Sequence, residues 1–411
     1  MVHVVVMVTT SYPRFPGDTV GTFVEPIARG VAERGHDVHV VAPWHPLVQR
    51  TGRENGVRFH FFKYAPVPQL NVFGYAAGLR ADTHLTGAAI AAAPFALAMG
   101  WRTASRVIRR VAATIVHAHW VVPGGAIAAA AARGRPLVVS LHGSDVFVAE
   151  RYGAARLAAR RIFRRAHAVT ACSDDLRVRA LALGAPSDRT EVVPYGVDAE
   201  VFKPDATARE TKRAALGLER DDPLVFAVGR LVRKKGFEYL VDATAQLAPR
   251  WPRLRLVIAG SGDLESELRS RAQTAGLADR VHMPGWVSQH DVPGWLASAD
   301  VAVVPSVHDE AGNVDGLPNV VLEALASGTP LVASRVGGIS AVARDGETAL
   351  LVPERDAGAL AHAIERLLSD RPARERIGAA ARQRAAQERG WDRVAERFEA
   401  VYDRAARLPV K

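Results

Sequence analysis

Two doubly wound α/β domains, each a parallel sheet covered by helices, are the fold this sequence predicts. Three observations carry the expectation. Short apolar runs alternate with helical runs through the first half of the chain, the alternation stops in a polar stretch near residues 201–222, and it then restarts and continues to about residue 353. Such βαβ alternation marks parallel sheets, whose strands are buried on both faces and read as continuous apolar runs. At 411 residues the chain is also too long for one ordinary core.

In the first half the strand-like runs are VHVVVMVT (2–9), DVHVVAP (37–43), VRFHFFKY (57–64), TIVHAHW (114–120), PLVVSLHG (136–143), AVTACS (168–173) and EVVPYG (191–196). In the second they are PLVFAVGR (223–230), LRLVIAG (254–260), RVHMPGW (280–286), VAVVPS (301–306), PLVASR (330–335) and ALLVP (349–353). These predict an N-terminal domain over 1–200, a connection over 201–222 and a C-terminal domain over 223–385. A final helix over 386–411 is expected to cross back to the first domain. Ligands of open parallel sheets sit at the carboxyl edges of the strands, so a cleft between the two domains is the expected site.

Composition narrows the class. Hydrophobic residues make up 48% and charged residues 23%, as in a soluble globular protein. The single cysteine, Cys172, excludes an internal disulfide and a multi-cysteine metal site. The start MVHVVVMVTTSYP reads as a first strand, not a signal peptide. The nearest candidate for a membrane span, GAAIAAAPFALAMGW (87–101), is short and broken by Pro94, so a buried helix is the better reading. The formal net charge of +10 is lopsided: residues 1–200 hold 23 Lys and Arg against 14 Asp and Glu. In RLAARRIFRRA (156–166), Arg156, Arg160 and Arg164 share a helix face, with Arg161 and Arg165 beside them. A basic first half suits an anionic partner such as anionic lipid or a polyanionic glycan. A solvated basic face accounts for it equally well. No nucleic-acid motif accompanies the charge, and no nucleic-acid partner is expected.

The most informative stretch is DGLPNVVLEALASG (315–328). It sets two carboxylates, Asp315 and Glu323, eight residues apart across a helix start, with Pro318 suited to the first turn. The apolar run before it reads as a buried strand, so strand, loop and helix N-terminus meet at one sheet edge. Free N–H groups and a positive dipole there bind phosphates, and the flanking carboxylates suit sugar hydroxyls. GRLVRKKG (229–236) supplies Arg230 and Lys235 on a loop after a strand, two cations suited to a diphosphate. In AGSGDLESE (259–267), Gly260 and Gly262 open like a dinucleotide fingerprint, but Glu265 stands at the third glycine position; this argues against a nicotinamide dehydrogenase. Gly21, between the first strand and first helix, lets backbone approach a ligand. His142 in SLHGSD ends a strand and is placed to meet a sugar hydroxyl or a diphosphate oxygen. Trp286 and Val287 form an apolar loop suited to a nucleobase. The histidines of HAHW (117–120) fit a structural role. No spacing supports a metal site, and no G-x-S-x-G elbow supports Ser-His-Asp hydrolysis.

These pieces, in this order, resemble a retaining glycosyltransferase of family 4 with the GT-B fold, in which two Rossmann-like domains face each other across a cleft. The resemblance rests on SYPRFPGDTVGTFV, HAHW, LHGSD, PYGVDAEVFKP, GRLVRKKGFEYLVDA, AGSGDLESEL, PGWV and the block from Asp315 to Pro353. It implies that Arg230 and Lys235 bind the donor diphosphate and that Glu323 holds the ribose. Asp315 stands where the family usually has glutamate and would contact the donor sugar; Glu310, in the enlarged loop before it, is a second candidate for that carboxylate. Gly316 and Pro318 shape the loop, while Leu317, Asn319 and Val320 would turn backbone N–H groups to sugar and phosphate. His142 would lie near the transferred sugar, Gly21 and Gly260 near the donor, and Val287 near the base. The implied reaction moves a sugar from a UDP- or GDP-linked donor to a hydroxyl of a glycan or lipid-linked acceptor, with retained configuration and no metal or other cofactor. A cytoplasmic setting is expected, and the net charge of +9 over residues 1–200 suggests a peripheral place at the inner face of the membrane. An epimerase or hydrolase of nucleotide sugars and a non-catalytic binding protein are the alternatives.

Overall fold

The computed structural model describes residues 1–18, 20–71, 73–75, 79–80, 84–85 and 87–409. Thr19, in the loop that carries Gly21, and Val72, in the aromatic segment 64–75, lie outside them. The chain divides into two compact units. One joins Met1–Tyr195 to Trp391–Lys411; the other is Gly196–Gly390.

The first unit runs β1 (Val4–Val8), α1 (Val24–Glu33), β2 (Asp37–Pro43), β3 (Arg53–Glu54), β4 (Val57–Phe62), β5 (Leu79–Arg80), β6 (His84–Leu85), α2 (Gly87–Arg110), β7 (Ile115–His119), α3 (Gly124–Ala131), β8 (Leu137–Leu141), α4 (Ser144–Arg151), α5 (Gly153–Arg165), β9 (Ala168–Ala171), α6 (Asp174–Ala182) and β10 (Thr190–Val192). Its sheet has the order β10-β9-β8-β7-β1-β2-β4-β3, parallel except for the short edge strand β3. The order reverses between β1 and β7, where both strands are wholly apolar or buried.

The second unit runs α7 (Ala206–Ala215), β11 (Leu224–Val228), α8 (Phe237–Leu247), β12 (Arg255–Ala259), α9 (Glu265–Thr274), β13 (Val281–His282), α10 (Val292–Ser298), β14 (Val301–Val304), α11 (Asn319–Ser327), β15 (Leu331–Ser334), α12 (Ile339–Val342), β16 (Leu350–Val352), α13 (Ala357–Ser369) and α14 (Arg371–Glu388). Its sheet, order β13-β12-β11-β14-β15-β16, is parallel throughout and reverses between β11 and β14. The last helix, α15 (Trp391–Arg407), returns to the first unit and packs on α1. Gly30 of α1 sits so close that a Cβ there would lie 3.0 Å from Ala395 Cβ.

The polar stretch 201–222, expected as a connection with room for a short helix, carries α7, which packs on α10, and Arg209 and Arg213 both pair with Asp300, at 2.7 and 3.3 Å. Charged residues can build a docked helix when their partners come from a distant part of the chain, which local polarity does not reveal. The run 87–101 is helical but not buried. Pro94 is accommodated inside α2, and Ile90, Phe95, Met99 and Trp101 are exposed. Only the side of α2 bearing Ala89, Ala96, Gly100 and Ala104 is buried, because small residues allow a close approach there. No helix among the described residues is long and apolar enough to cross a membrane.

Candidate functional site

In the second unit the predicted residues gather at the reversal of strand order, where loops after neighbouring strands diverge and leave a crevice. After β11 the chain passes Arg230, which is exposed, and forms a 3-10 turn over Arg233–Lys235 ending at Gly236. Gly236 has φ 65°, and a Cβ there would fall 2.0 Å from the Pro305 carbonyl oxygen. Glycine therefore lets this loop press against the chain leaving β14. That contact delivers Lys234 and Lys235 to Asp315: Nζ of Lys234 lies 2.9 Å from Oδ1, and Nζ of Lys235 lies 2.5 Å from Oδ2. All three side chains are less than one-sixth exposed. Burial opposes the charge on Asp315, but the two ammonium groups outweigh it and hold the carboxyl far below the ordinary range.

Asp315 leads through buried Gly316, Leu317 and Pro318 into α11. Pro318 is the N-cap, one residue before the first turn in which the sequence places it, and its side chain has no acceptor with which to cap the helix. Asn319 and Val320 are half-buried in that turn, where helical N–H groups lack intrahelical acceptors and the dipole is positive. Glu323 follows, only 9% exposed, with Oε1 accepting from Nε2 of Gln289 at 3.2 Å. Burial pushes its carboxyl up to about 7, against the smaller pull of Gln289 and Lys235. Gln289 comes from the loop after β13 that also carries half-buried Val287 and exposed Trp286. Gly260 supports the site from behind: a Cβ there would lie 1.9 Å from the Gly229 carbonyl oxygen, so the turn after β12 packs directly on the Arg230 loop. Glu310 is exposed, in a loop organised by Asp309, whose Oδ1 accepts from the N–H groups of Ala311 and Asn313, both at 2.9 Å. Asp315, not Glu310, is the carboxylate against the lysines.

The first unit brings other groups to its own carboxyl edge. His119 ends β7, and His142 follows β8. Nδ1 of His119 and Nε2 of His142 are 3.0 Å apart, and Nδ1 of His142 lies 2.8 Å from the Tyr195 hydroxyl. Phe23 packs on His142 with centroids 4.5 Å apart, and Trp120 does so at 4.8 Å. Both ring nitrogens of His142 thus meet protein partners, and an incoming hydroxyl must replace Tyr195 or His119 to reach one. Asp145, 2% exposed, ties the two loops together: its Oδ2 accepts from the Val121 N–H at 2.7 Å and its Oδ1 from the Gly143 N–H at 3.0 Å. His117 bridges the Tyr402 hydroxyl of α15, at 2.8 Å, and Ser140 Oγ, at 2.7 Å. Burial drives His117 and His142 well below the usual histidine range and lowers His119 to about 3, so all three are neutral at pH 7. Gly21, φ 70°, backs onto Ser11 in the loop after β1.

Sequence reasoning missed Lys234, Gln289, His119 as the partner of His142, and Tyr195. Two adjacent lysines suggest one turned inward and one outward; the Gly236 contact instead brings both to Asp315. Among the described residues no group of three or more His, Cys, Asp or Glu side chains is arranged to hold a metal ion.

Comparison with known proteins bears on this arrangement. Residues 20–201 match the family model described as Glycosyltransferase Family 4, and residues 208–384 match Glycosyl transferases group 1. The chain is 35% identical over 261 residues to a GDP-mannose-dependent alpha-(1-6)-phosphatidylinositol monomannoside mannosyltransferase of Mycolicibacterium smegmatis, covering 63% of this chain and 68% of that one. It is 33% identical over 301 residues to the enzyme of the same description from Mycobacterium tuberculosis, covering 71% and 77%. It is 32% identical over 285 residues to the alpha-D-kanosaminyltransferase of Streptomyces kanamyceticus, covering 66% and 72%. Among solved structures, HepE of Anabaena in complex with UDP superposes with a TM-score of 0.77 at 20% identity, over 97% of this chain and 99% of that one. Sucrose-phosphate synthase of Thermosynechococcus elongatus gives 0.77 at 22% identity, over 97% and 98%. With both halves matched in order, and with two parallel-sheet units carrying their polar groups at the carboxyl edges, the chain belongs to glycosyltransferase family 4 and is a glycosyltransferase of the GT-B fold.

Proposed function

We propose that this glycosyltransferase moves a sugar, with retained anomeric configuration, from a nucleotide diphosphate donor to a hydroxyl of a lipid-linked or glycan acceptor. The observation that carries the reading is the Lys234–Asp315–Lys235 cluster beside the N-terminus of α11. It joins fixed positive charge to a helix terminus, the combination that suits a diphosphate and the negative charge that grows on it as the sugar departs. On this reading Lys235 and Arg230 hold the diphosphate, and the N–H groups of the first turn of α11 meet phosphate or sugar. Asp315 holds the lysines in place and offers its remaining acceptor capacity to a sugar hydroxyl. Glu323 accepts from the ribose hydroxyls in place of Gln289. The leaving diphosphate itself takes the acceptor proton on the face from which it departs. The enzyme contributes position and electrostatics, with side-chain cations in the role a divalent metal would otherwise fill. Its resemblance to enzymes described as GDP-mannose-dependent and acting on a phosphatidylinositol mannoside makes GDP-mannose with a phosphoinositide-mannoside acceptor the first pair to test.

The test incubates the full chain with radiolabelled GDP-mannose, and separately with UDP-glucose, plus a lipid extract, with and without EDTA. A labelled glycolipid that forms in both conditions, with the donor's anomeric configuration by NMR, is the expected outcome. Free sugar as the sole product would reassign the protein as a hydrolase. A new nucleotide sugar would make it an epimerase, and an inverted product or full dependence on divalent metal would overturn the mechanism.

A further inference from the structure

We propose that the outer face of α2, continued by α5, is a docking surface for an anionic phospholipid bilayer. Residues 83–144 contain no Asp or Glu, yet include Arg102, Arg106, Arg109, Arg110, Arg133 and Arg135. α5 has no acidic residue either and carries five exposed arginines. Several arginines elsewhere in this unit are neutralised locally: Arg14 pairs with Asp18, Arg50 with Glu25, Arg58 with Asp37 and Arg179 with Glu150. Among the described residues none of the nine arginines of α2 and α5 enters an ion pair. The two helices belong to one layer, since α3 packs against both: Gly100 of α2 abuts Ile127, and Gly125 of α3 abuts Ile162 of α5. The layer therefore presents uncompensated positive charge on one side.

Charge alone would suit any polyanion, but the apolar groups on α2 choose among them. Phe95 is 65% exposed, Ile90 59%, Trp101 40% and Met99 37%. Phe95, Met99, Arg102, Arg106 and Arg109 follow at steps of three and four along one stripe of the helix, while Ile90 and Trp101 lie roughly 120–140° round from it, on its flank. Trp101, Met99, Arg102, Arg106, Arg109 and Arg133 also line a groove of about 440 Å³. The buried Ser105 hydroxyl borders that groove without a hydrogen-bond partner among the described residues. Exposed aliphatic side chains such as Ile90 and Met99 find little to pack on in an RNA backbone or a charged glycan, whereas apolar and arginine side chains together on one helix suit the bilayer interface. The arginines reach lipid phosphates, while Phe95 and Met99, on the same stripe, enter the acyl boundary and Trp101 sits at the flank of the contact. The surface narrows the basic bias of the first half to α2, with the arginines of α5 beside it. It does not depend on the identity of donor or acceptor.

The test is co-flotation of the full chain with phosphatidylcholine vesicles and with phosphatidylcholine–phosphatidylglycerol vesicles, using the wild type, Arg102→Glu/Arg106→Glu/Arg109→Glu and Phe95→Ser/Trp101→Ser. Thermal unfolding of each variant verifies that these exposed changes leave the fold intact. The wild type should float with the anionic vesicles far more than with the neutral ones. At roughly 1 kcal/mol per basic side chain near the surface, the arginine variant should lose on the order of a hundredfold in partitioning. The apolar variant should keep its response to anionic lipid at low salt and lose binding at high salt, where the charge term is screened. Equal flotation of wild type and both folded variants would overturn the proposal. So would retention on heparin or RNA without flotation, which would assign the face to a soluble polyanion.

Discussion

At the carboxyl edge of the second sheet, Asp315 sits between Nζ of Lys234 and Nζ of Lys235, and their charge keeps its carboxyl ionised despite burial. At the corresponding edge of the first sheet, His119 and His142 stack with Phe23, Trp120 and Tyr195, and both imidazoles are neutral. Both clusters follow strands next to a reversal of strand order. They differ in what surrounds them. Cations against a carboxylate offset the cost of burial in the second unit. In the first, burial meets no compensating charge and discharges the rings instead. On the function proposed above, the charged edge holds an anion that gains charge during reaction, and the neutral edge, with its stacking and uncharged hydrogen bonds, positions a hydroxyl.

The largest effect expected from breaking this contrast is on turnover. Lys235→Ala removes a cation from the diphosphate position and should lower transfer by roughly a hundredfold to a thousandfold, while thermal unfolding still shows a cooperative fold. Near-normal turnover would remove Lys235 from the site.

The contrast also predicts opposite responses to pH. Glu323 has a folded pKa raised from 4.5 to about 7, so its contribution to stability is full below pH 4.5 and is lost as pH rises through 7. That shift corresponds to about 3 kcal/mol in the second unit. His117 and His119 are 0% exposed, with pKa values depressed below 6.5. Their contribution is intact above pH 6.5 and falls with acid, by up to about 1.4 kcal/mol per pH unit for each. Denaturant unfolding at a series of pH values separates the two, because alkylation of Cys172, buried in the first unit, reports opening of that unit alone. Glu323→Gln should flatten the loss between pH 4.5 and 7 and leave the acid limb of Cys172 exposure unchanged. A common slope in both units would refute the distinction. The smallest effect belongs to Glu310→Gln, at an exposed position, which should leave donor binding, followed by calorimetry, within about 0.5 kcal/mol of wild type. A larger loss would return Glu310 to the site and demote Asp315.

Much of this organisation was legible along the chain. Each of the thirteen predicted strand runs overlaps an observed strand, because continuous Val- and Ile-rich runs leave few other conformations that bury them. Those not foreseen, β3, β5 and β6, are two residues long, too short for any period to show. Asp315, Glu323, Arg230 and Lys235 stood out because their spacing from a strand end and a helix start is local information. Lys234 and Gln289 did not, since their importance arises from loops that meet only in space. The exposure of α2 was hidden for a similar reason: an Ala-rich helix reads as buried whether its neighbours cover one side or all of it.

By itself, then, the sequence determined the two-sheet α/β class, the order of strands and helices along the chain, the carboxylate–helix motif and the basic bias of the first half, all of them functions of residue type and short-range spacing. Tertiary structure alone decided which lysines face Asp315, that Glu323 is buried enough to titrate near neutrality, that the histidines are discharged and that the arginines of α2 and α5 share one uncompensated face. Each of those depends on what the rest of the chain places within a few ångströms, and both desolvation and Coulomb energy change most steeply over that distance.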